Sequence, residues 1–465
     1  MLQNKLIPLL MISNKIKIRE ILGGRLDPQF FSPMLMDIVD LIKSSNHKQL
    51  SKLARFSDET WNQKDHFKDK FPYIEIGAID TLSGSIIDIS QISKKDAPSR
   101  AKKIIRNNDI IVSTTRPSRG AISLVKTENI YIASTGFSVI RNISDEILRE
   151  YLFIVLRQEY CLSQMFQRSS GGNYPAITED ELKKISIPLP SKEIQQKVVD
   201  IYTKAIQEKQ EKEQKAKSLL DGIDGYLLKE LGVLTPKREE HQQFFTIKIS
   251  EIIGQRLDVS FYKKKFELIS SKYENKKLYQ IAHVNPSVSF ANLSKKDEIT
   301  FVPMEVIDEV RGEIIGDRST TVSNIKGFTK FAENDLLWAK ITPCMQNGKS
   351  AIARNLINGL GCGSTEFYVI RPKDDSEISI DYLYNLLRMR YVLDAAKESF
   401  GGSAGQQRVS SDYLKSIKIP MPSIEKQDDI VNTIIIFKAE AQKLQKEGSE
   451  LINRAKKDIE RIILG

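Results

Sequence analysis

Cysteine and histidine are scarce in this sequence: three of the first (Cys161, Cys344 and Cys362) and four of the second in 465 residues. No Cys-x-x-Cys pair occurs, so the sequence predicts no metal site, no disulfide framework and a reducing, cytoplasmic setting. Long apolar runs are missing as well. The opening MLQNKLIPLLMISNK holds one short apolar stretch behind a lysine. It is too short to span a bilayer and has no clear small-residue cleavage site, so a lead-in to a first strand is expected, and no membrane partner. Catalytic signatures are also lacking. There is no Asn-Pro-Pro-Tyr or Asp-Pro-Pro-Tyr of the amino-methyltransferase kind, Asn285-Pro286 being followed by Ser-Val, and no Gly-rich cofactor loop between strand and helix. Glu181-Leu182-Lys183 has the spacing of a metal-dependent nuclease motif, but it has no companion aspartate on an obvious strand and reads as a solvated helix start. No acid cluster recurs along the chain. The expectation is a non-enzymatic protein without catalytic residues, metal or cofactor.

What is plentiful is positive charge and repetition. Lysine plus arginine number 70 against 60 for aspartate plus glutamate, a formal net charge of +10 that fits a polyanionic partner. A chain of this length makes several domains. IREILGGRLDPQFF from Ile18 returns as ISEIIGQRLDVSFY from Ile249, with Arg25-Leu26-Asp27 matching Arg256-Leu257-Asp258. YIEIGAID from Tyr73 parallels FVPMEVID from Phe301, and NDIIVSTTRP from Asn108 parallels NDLLWAKITP from Asn334. STGFSVIR from Ser134 parallels STEFYVIR from Ser364, and GGNYPAITEDELKKISIPLP from Gly171 parallels GGSAGQQRVSSDYLKSIKIPMP from Gly401. Both copies end in leucine-glycine, at Leu231-Gly232 and Leu464-Gly465. Landmarks in one order at a nearly constant offset mark a tandem duplication.

Each copy opens with short β-rich runs such as DIIVSTT and EFYVIRP, broken by Gly, Pro, Asn and Ser. Helical patterns such as DEILREYLFIVLRQEYCLSQMF lie between them, which predicts an α+β globular domain with a curled sheet. Each copy then closes with a long helix. Pro188 and Pro190, or Pro420 and Pro422, exclude helix just before it. Ser191 and Ser423 stand as N-caps, with Glu193 and Glu425 in the first turn. In the second copy Ile430, Ile434, Phe437, Ala441, Leu444, Gly448, Leu451 and Ala455 alternate by fours and threes. In the first, Ile194, Val198 and Ile201 begin the same stripe, QEKQEKEQK interrupts it, and Leu220 and Leu227 resume it. Two stripes of equal length predict an antiparallel coiled coil rather than two helices lying on their own domains. The expected boundaries are 1–190 for a first globular domain, 191–232 for a central helical spacer, 233–422 for a second globular domain and 423–465 for a C-terminal helical spacer.

Connectivity argues for the antiparallel sense. A helix of roughly 40 residues is about 60 Å long. Antiparallel packing puts the start of the second helix beside the end of the first, so the domain between them closes on adjacent termini, as domains usually do. A pseudo-two-fold arrangement follows, with a domain at each end of a helical rod that sets the separation of two half-sites.

The tandem layout, the Ile-Pro-Leu-Pro type segment before the long helix, and Glu-x-Gln at its start (Glu193-Ile194-Gln195 and Glu425-Lys426-Gln427) resemble the DNA-specificity subunits of type I restriction-modification systems. So do DLLWAKITPCMQNGK from Asp335 and GSAGQQRV from Gly402. The resemblance covers nearly the whole chain. It implies two target-recognition domains, each reading half of a bipartite, gapped site in double-stranded DNA. It also implies helical regions that dock two DNA methyltransferase subunits, with nuclease-translocase subunits joining the complex. A system with a fused nuclease-methyltransferase partner and a scaffold that reads no DNA remain as alternatives, and divergent loops in a repeated framework speak against the scaffold. The first copy departs from the pattern: GGNYPAI lacks Gln-Gln-Arg, and STTRPSRG stands where the second has AKITPCMQNGK. That is expected of domains reading different bases.

Within this framework the basic stretch from Lys94 to Gly120, with Lys102 and Lys103, offers phosphate contacts that position without reading sequence. Arg116 and Arg119 flank Pro117-Ser118 just after a strand, and arginine suits the guanine edge. The matching loop of the second copy holds Lys340, Gln346, Asn347 and Lys349, whose amides suit adenine. The Gly-rich loops add Asn173 and Tyr174 in one copy and Gln406, Gln407 and Arg408 in the other, glycine letting backbone approach a partner closely. Neither loop is followed by Lys-Ser/Thr in Walker spacing, which argues against a nucleotide-phosphate site.

Overall fold

The computed structural model describes residues 30, 32–63, 66–234, 266–316, 318–375, 377–400 and 407–465. The opening apolar stretch, both Arg-Leu-Asp landmarks and Gln406 lie outside the described residues. The chain divides into two compact units, Met1–Gln214 with Lys443–Gly465, and Lys215–Gln442.

In the first unit one four-stranded sheet runs, in spatial order, Ala54–Ser57, Phe137–Ile143, Ile110–Ser113 and Ile122–Leu124, all antiparallel. A second sheet runs Ser90–Ser93, Lys70–Ile74, Tyr131–Ser134 and Ala101–Ile105, with one parallel pairing that sets Tyr73 opposite Ile132. The second unit repeats this strand for strand. Its sheets are Ala282–Val284, Phe367–Pro372, Leu336–Ala339 and Ser350–Ile352, then Ser319–Thr321, Glu298–Val302, Leu360–Gly363 and Thr329–Ala332. The parallel pairing recurs at the equivalent place, with Phe301 opposite Cys362. The central strands Ile110–Ser113 and Leu336–Ala339 are buried at every residue, which is why they read as unbroken apolar runs rather than alternating ones.

The repeated sequence landmarks are the joints of this frame. Asn108 and Asn334 both take the left-handed region, at φ 67° and 66°, which asparagine tolerates better than most residues. The aspartate after each is buried and turns back on the chain: Asp109 accepts from the Arg106 backbone N–H at 2.8 Å, and Asp335 from that of Ala332 at 2.7 Å. Each carboxylate also takes a two-pronged arginine from the neighbouring strand, Arg141 at 2.8 and 2.7 Å or Arg371 at 2.7 and 2.7 Å. Tyr151 and Tyr382 donate their hydroxyls to the carbonyls of Pro188 and Pro420, both at 3.0 Å, and so pin the segment ahead of each long helix.

The first unit extends its arginine joint. Glu59 accepts from Arg106 at 2.5 Å and Arg141 at 2.7 Å. The Arg106 hydrogen bond, partly opposed by burial and aided by Arg141, holds its carboxyl down to about 2 from the ordinary 4.5. A carboxyl depressed on folding stabilises above its unfolded pKa and loses that contribution as pH falls through the folded one. Stability from this group should therefore decline as pH drops from 4.5 toward 2. Urea titrations stepped through that window should show a shallower decline for Glu59→Gln, and an unchanged slope would assign the acid sensitivity elsewhere.

The long helices span Lys192–Leu231 and Ile424–Leu464. Ser191 and Ser423 cap them as the sequence predicts, their hydroxyls accepting from the backbone N–H of Ile194 at 3.5 Å and Lys426 at 3.4 Å. In both units the helices run antiparallel. In the first, Lys212 pairs with Glu447 at 2.6 Å, and Ala205 clusters with Ile452 and Ala455. In the second, Glu230 pairs with Lys426 at 2.8 Å, and Tyr226 meets Phe437 edge-on with ring centroids 5.6 Å apart. The apolar stripe serves the globular cores as well as the helix pair. Val198 and Ile459 are buried in the main core of the first unit, with Ile201 packed against it. Leu227, Ile430 and Ile434 are buried in that of the second. Leu220, Leu444 and Leu451 are half-buried, and Ile194 is exposed. The polar interruption is carried by ion pairs, Lys209 with Glu213 and Lys212 with Glu447, both at 2.6 Å. Because Ile430 is fully buried, Ile430→Ala should cost about 2–5 kcal/mol of unfolding free energy in urea denaturation. A loss below about 0.5 kcal/mol, the range of surface substitutions, would show that the helix is not part of that core.

Candidate nucleic-acid interface

Two loops that are far apart in the sequence are sewn together in each unit. In the first, the chain leaves the strand Ile110–Ser113 into Thr114–Gly120, and the glycine-rich loop closes on itself through Ser170 and Ala176, which exchange backbone hydrogen bonds of 2.9 and 2.8 Å. Gly171, at φ 100°, sits in that closure, where a side chain would be strained. Three backbone bonds then tie the strand-end segment down: Thr114 N–H to the Gly136 carbonyl (2.8 Å), Ile177 N–H to Thr114 (2.9 Å) and Arg116 N–H to Pro175 (2.7 Å). The second unit forms the same three, from Lys340 to Glu366 (2.9 Å), Val409 to Lys340 (3.0 Å) and Thr342 to Gln407 (3.0 Å). The frame is therefore common and its side chains are not.

In the first unit the frame presents an arginine laid on a tyrosine. Arg116 takes a left-handed backbone (φ 48°) at the start of the short helical turn Pro117–Arg119. Its guanidinium carbon lies 4.2 Å from the Tyr174 ring centroid, and its Nη2 donates to the Asn173 carbonyl at 3.0 Å. Tyr174 is 69% exposed, so the stack faces solvent. The sequence-predicted Arg116, Asn173 and Tyr174 thus form one group. Arg119 is exposed on the same turn. Lys102 and Lys103 belong to the other sheet, on the strand Ala101–Ile105, with Lys102 exposed and Lys103 half-buried. Two cations of the same basic stretch are engaged internally: Lys94 bonds the Phe67 carbonyl at 2.6 Å, and Arg106 bonds Glu59.

In the second unit the predicted cations are mostly tied in. Arg408 forks onto Glu366, with Nε at 2.9 Å from Oε2 and Nη2 at 2.6 Å from Oε1, and its guanidinium holds the Glu366 carboxyl below the usual range. Lys349 donates to the Met304 carbonyl at 3.3 Å, and the Lys340 ammonium lies 5.2 Å from the Tyr368 ring centroid. Asn347 donates to Glu309 at 3.1 Å. Gln346 accepts from the Thr342 hydroxyl at 3.1 Å through its Oε1, while its backbone carbonyl takes Arg390 at 3.2 Å. Gln407 contributes its carbonyl to the frame.

The family model described as the type I restriction modification DNA specificity domain matches residues 40–219 and again 270–454. The chain belongs to that family. It is 34% identical over 178 residues to the type I restriction enzyme EcoAI specificity subunit of Escherichia coli, a match covering 37% of this chain and 29% of that one. It is 23% identical over 429 residues to the putative MjaX specificity subunit of Methanocaldococcus jannaschii, covering 85% and 87% of the two chains. A solved structure concerned with complex assembly and conformational transition in a type I restriction-modification system superposes with a TM-score of 0.50 at 19% identity, over 90% of this chain and 96% of that one. At that identity the likeness is one of fold.

One residue of the second loop frame was not singled out from the sequence. Glu366, the anchor of Arg408, occupies the position of Gly136 in the first copy, and the signal was the difference between STGF and STEF. At Gly136 a Cβ would sit 2.7 Å from the Ile76 side chain, so the first unit has no room there without movement. Burial mutes two of the three cysteines: it raises the Cys161 thiol well above its ordinary range and pushes Cys362 up to about 11. Among the described residues no His, Cys, Asp or Glu group is arranged to hold a metal ion, and no helix is long and apolar enough to cross a membrane.

Proposed function

We propose that this chain is the sequence-reading, non-catalytic subunit of a cytoplasmic type I restriction-modification complex. It recognises a bipartite, gapped site in double-stranded DNA, one half through each unit. It directs two methyltransferase subunits, and with them nuclease-translocase subunits, to that site. The reading rests on one observation: a two-loop frame with the same backbone bonds in both units and different side chains at its tip. A common frame fixes where a side chain stands relative to the duplex, and the side chain sets which base edge it fits.

In the first unit Arg116 is the base reader. Its fork matches guanine O6 and N7, and the Tyr174 face with the Asn173 carbonyl holds it in place beforehand. In the second unit Gln346, Asn347 and Lys340 reach the bases. Arg408 and Lys349, engaged with Glu366 and Met304, shape the loop. Lys102, Lys103 and Arg119 take phosphates, which adds affinity without sequence preference. The test is methylation-site sequencing of host DNA with and without this chain. A gapped motif that vanishes with the chain supports the reading. A continuous motif, or one that persists without the chain, overturns it.

A further inference from the structure

We propose that the two halves of this chain are encoded to pair with each other and to reject second copies of themselves, through matched contacts along the two long helices. Each compact unit is completed by helix from the other half: the first by Lys443–Gly465, the second by residues 215–231. A half on its own would have to borrow the equivalent stretch from a second copy of itself. The repeat allows that substitution to be read residue by residue.

The helices align through a shared anchor. The Gln195 side chain accepts from the Leu148 N–H and donates to the Glu146 and Pro190 carbonyls. Gln427 does the same with Ser379, Glu377 and Pro422. With Gln195 and Gln427 equivalent and both helices continuous, Lys215 corresponds to Glu447, Ala216 to Gly448 and Asp224 to Lys456. Likewise Ile194 corresponds to Lys426, Ala205 to Phe437 and Tyr226 to Asp458.

In the intact chain Lys212 meets Glu447 at 2.6 Å. Between two first halves it would meet Lys215, an attraction turned into a repulsion. Lys209 lies against Gly448, where a Cβ would be 3.3 Å from its Cγ, and two first halves would put Ala216 in that place. Glu230 meets Lys426 at 2.8 Å, but between first halves it would meet Ile194. Tyr226 meets the Phe437 ring, but would face Ala205 instead.

Two second halves fail at the same places. Glu447 would meet Leu444 in place of Lys212, Lys426 would meet Ile462 in place of Glu230, and the Phe437 ring would face Asp458 in place of Tyr226. Every substitution removes a favourable contact or creates an unfavourable one, which is how specific pairing is built against alternatives.

The experiment uses the whole chain with a protease site inserted between residues 235 and 265. The folded protein is cut, unfolded in urea, refolded, and weighed by native mass spectrometry. The expected product is the one-to-one pair of halves with little of either homodimer. A mixture near the one-to-two-to-one proportion of indifferent pairing overturns the proposal. In the same assay Lys212→Glu with Glu230→Lys should bring out the first-half homodimer, because the reversed charge at position 212 would then attract Lys215. If the cut chain does not refold, the uncut chain decides. The same two substitutions should lower its melting temperature by several degrees, and adding Glu447→Lys with Lys426→Glu should restore most of the loss. A further loss on adding the second set would overturn the pairing.

Discussion

Replacing Arg116 with alanine is expected to erase the preference at one base pair of one half-site and leave the other half-site intact. Arg116 is held against Tyr174 and the Asn173 carbonyl, and no described carboxylate pairs with it, so its charge is not cancelled. A two-pronged arginine–guanine contact discriminates by about 1–3 kcal/mol, which corresponds to roughly 5- to 150-fold between right and wrong base. Methylation-site sequencing of the variant should show one guanine of the motif relaxed to any base. Arg116→Lys should recover only part of the preference, because an ammonium lacks the planar fork. Tyr174→Phe should keep it, the ring face being retained, whereas Tyr174→Ala should behave like a weaker Arg116→Ala. A motif unchanged in Arg116→Ala, with binding weakened equally on all sequences, would make this side chain a phosphate contact.

The largest expected loss of stability is at Asp335. Its carboxylate is fully buried and accepts from Arg371 Nε and Nη2 and from the Ala332 N–H, all at 2.7 Å. Asp335→Ala removes the partner and leaves a half-buried guanidinium and a backbone donor without theirs, at about 3–5 kcal/mol. Asp335→Asn should cost nearly as much, because an amide has one oxygen to offer three donors. Combining Asp335→Ala with Arg371→Leu should recover part of the loss, since the stranded charge is gone. Denaturation of the second unit, followed by the fluorescence of Trp338, buried on the strand that Asp335 leads into, reads all three variants. By contrast Arg408→Ala, at a solvent-facing pair screened by water, should leave the transition nearly unmoved. Equal costs at Asp335 and Arg408 would refute the distinction between a structural joint and a surface clamp.

The repeat was legible because its landmarks are backbone joints. Asn108-Asp109 and Asn334-Asp335 recur since a left-handed turn followed by a buried carboxylate has few substitutes, and Arg141 and Arg371 recur as the partners of those carboxylates. The helical stripe was legible from its period, but not its division of labour. Ile430 and Ile434 obey the same spacing as Leu444 and Leu451, yet the first two are fully buried in a globular core while the latter are half-buried. Periodicity reports which face of a helix is apolar and not what lies against it.

The sequence by itself determined that there are two copies of one α+β domain, where the long helices begin, and which loops diverge between copies. These are local or periodic properties, set by proline, capping serine, turn asparagine and the order of landmarks. Only the tertiary structure decided which candidate cations are engaged. Arg116 lies on Tyr174 and Arg408 on Glu366 because backbone bonds bring a strand end and a glycine-rich loop within 3.0 Å of each other. An ion pair depends on a distance of a few ångströms between residues about forty to sixty positions apart, and no local pattern encodes that distance.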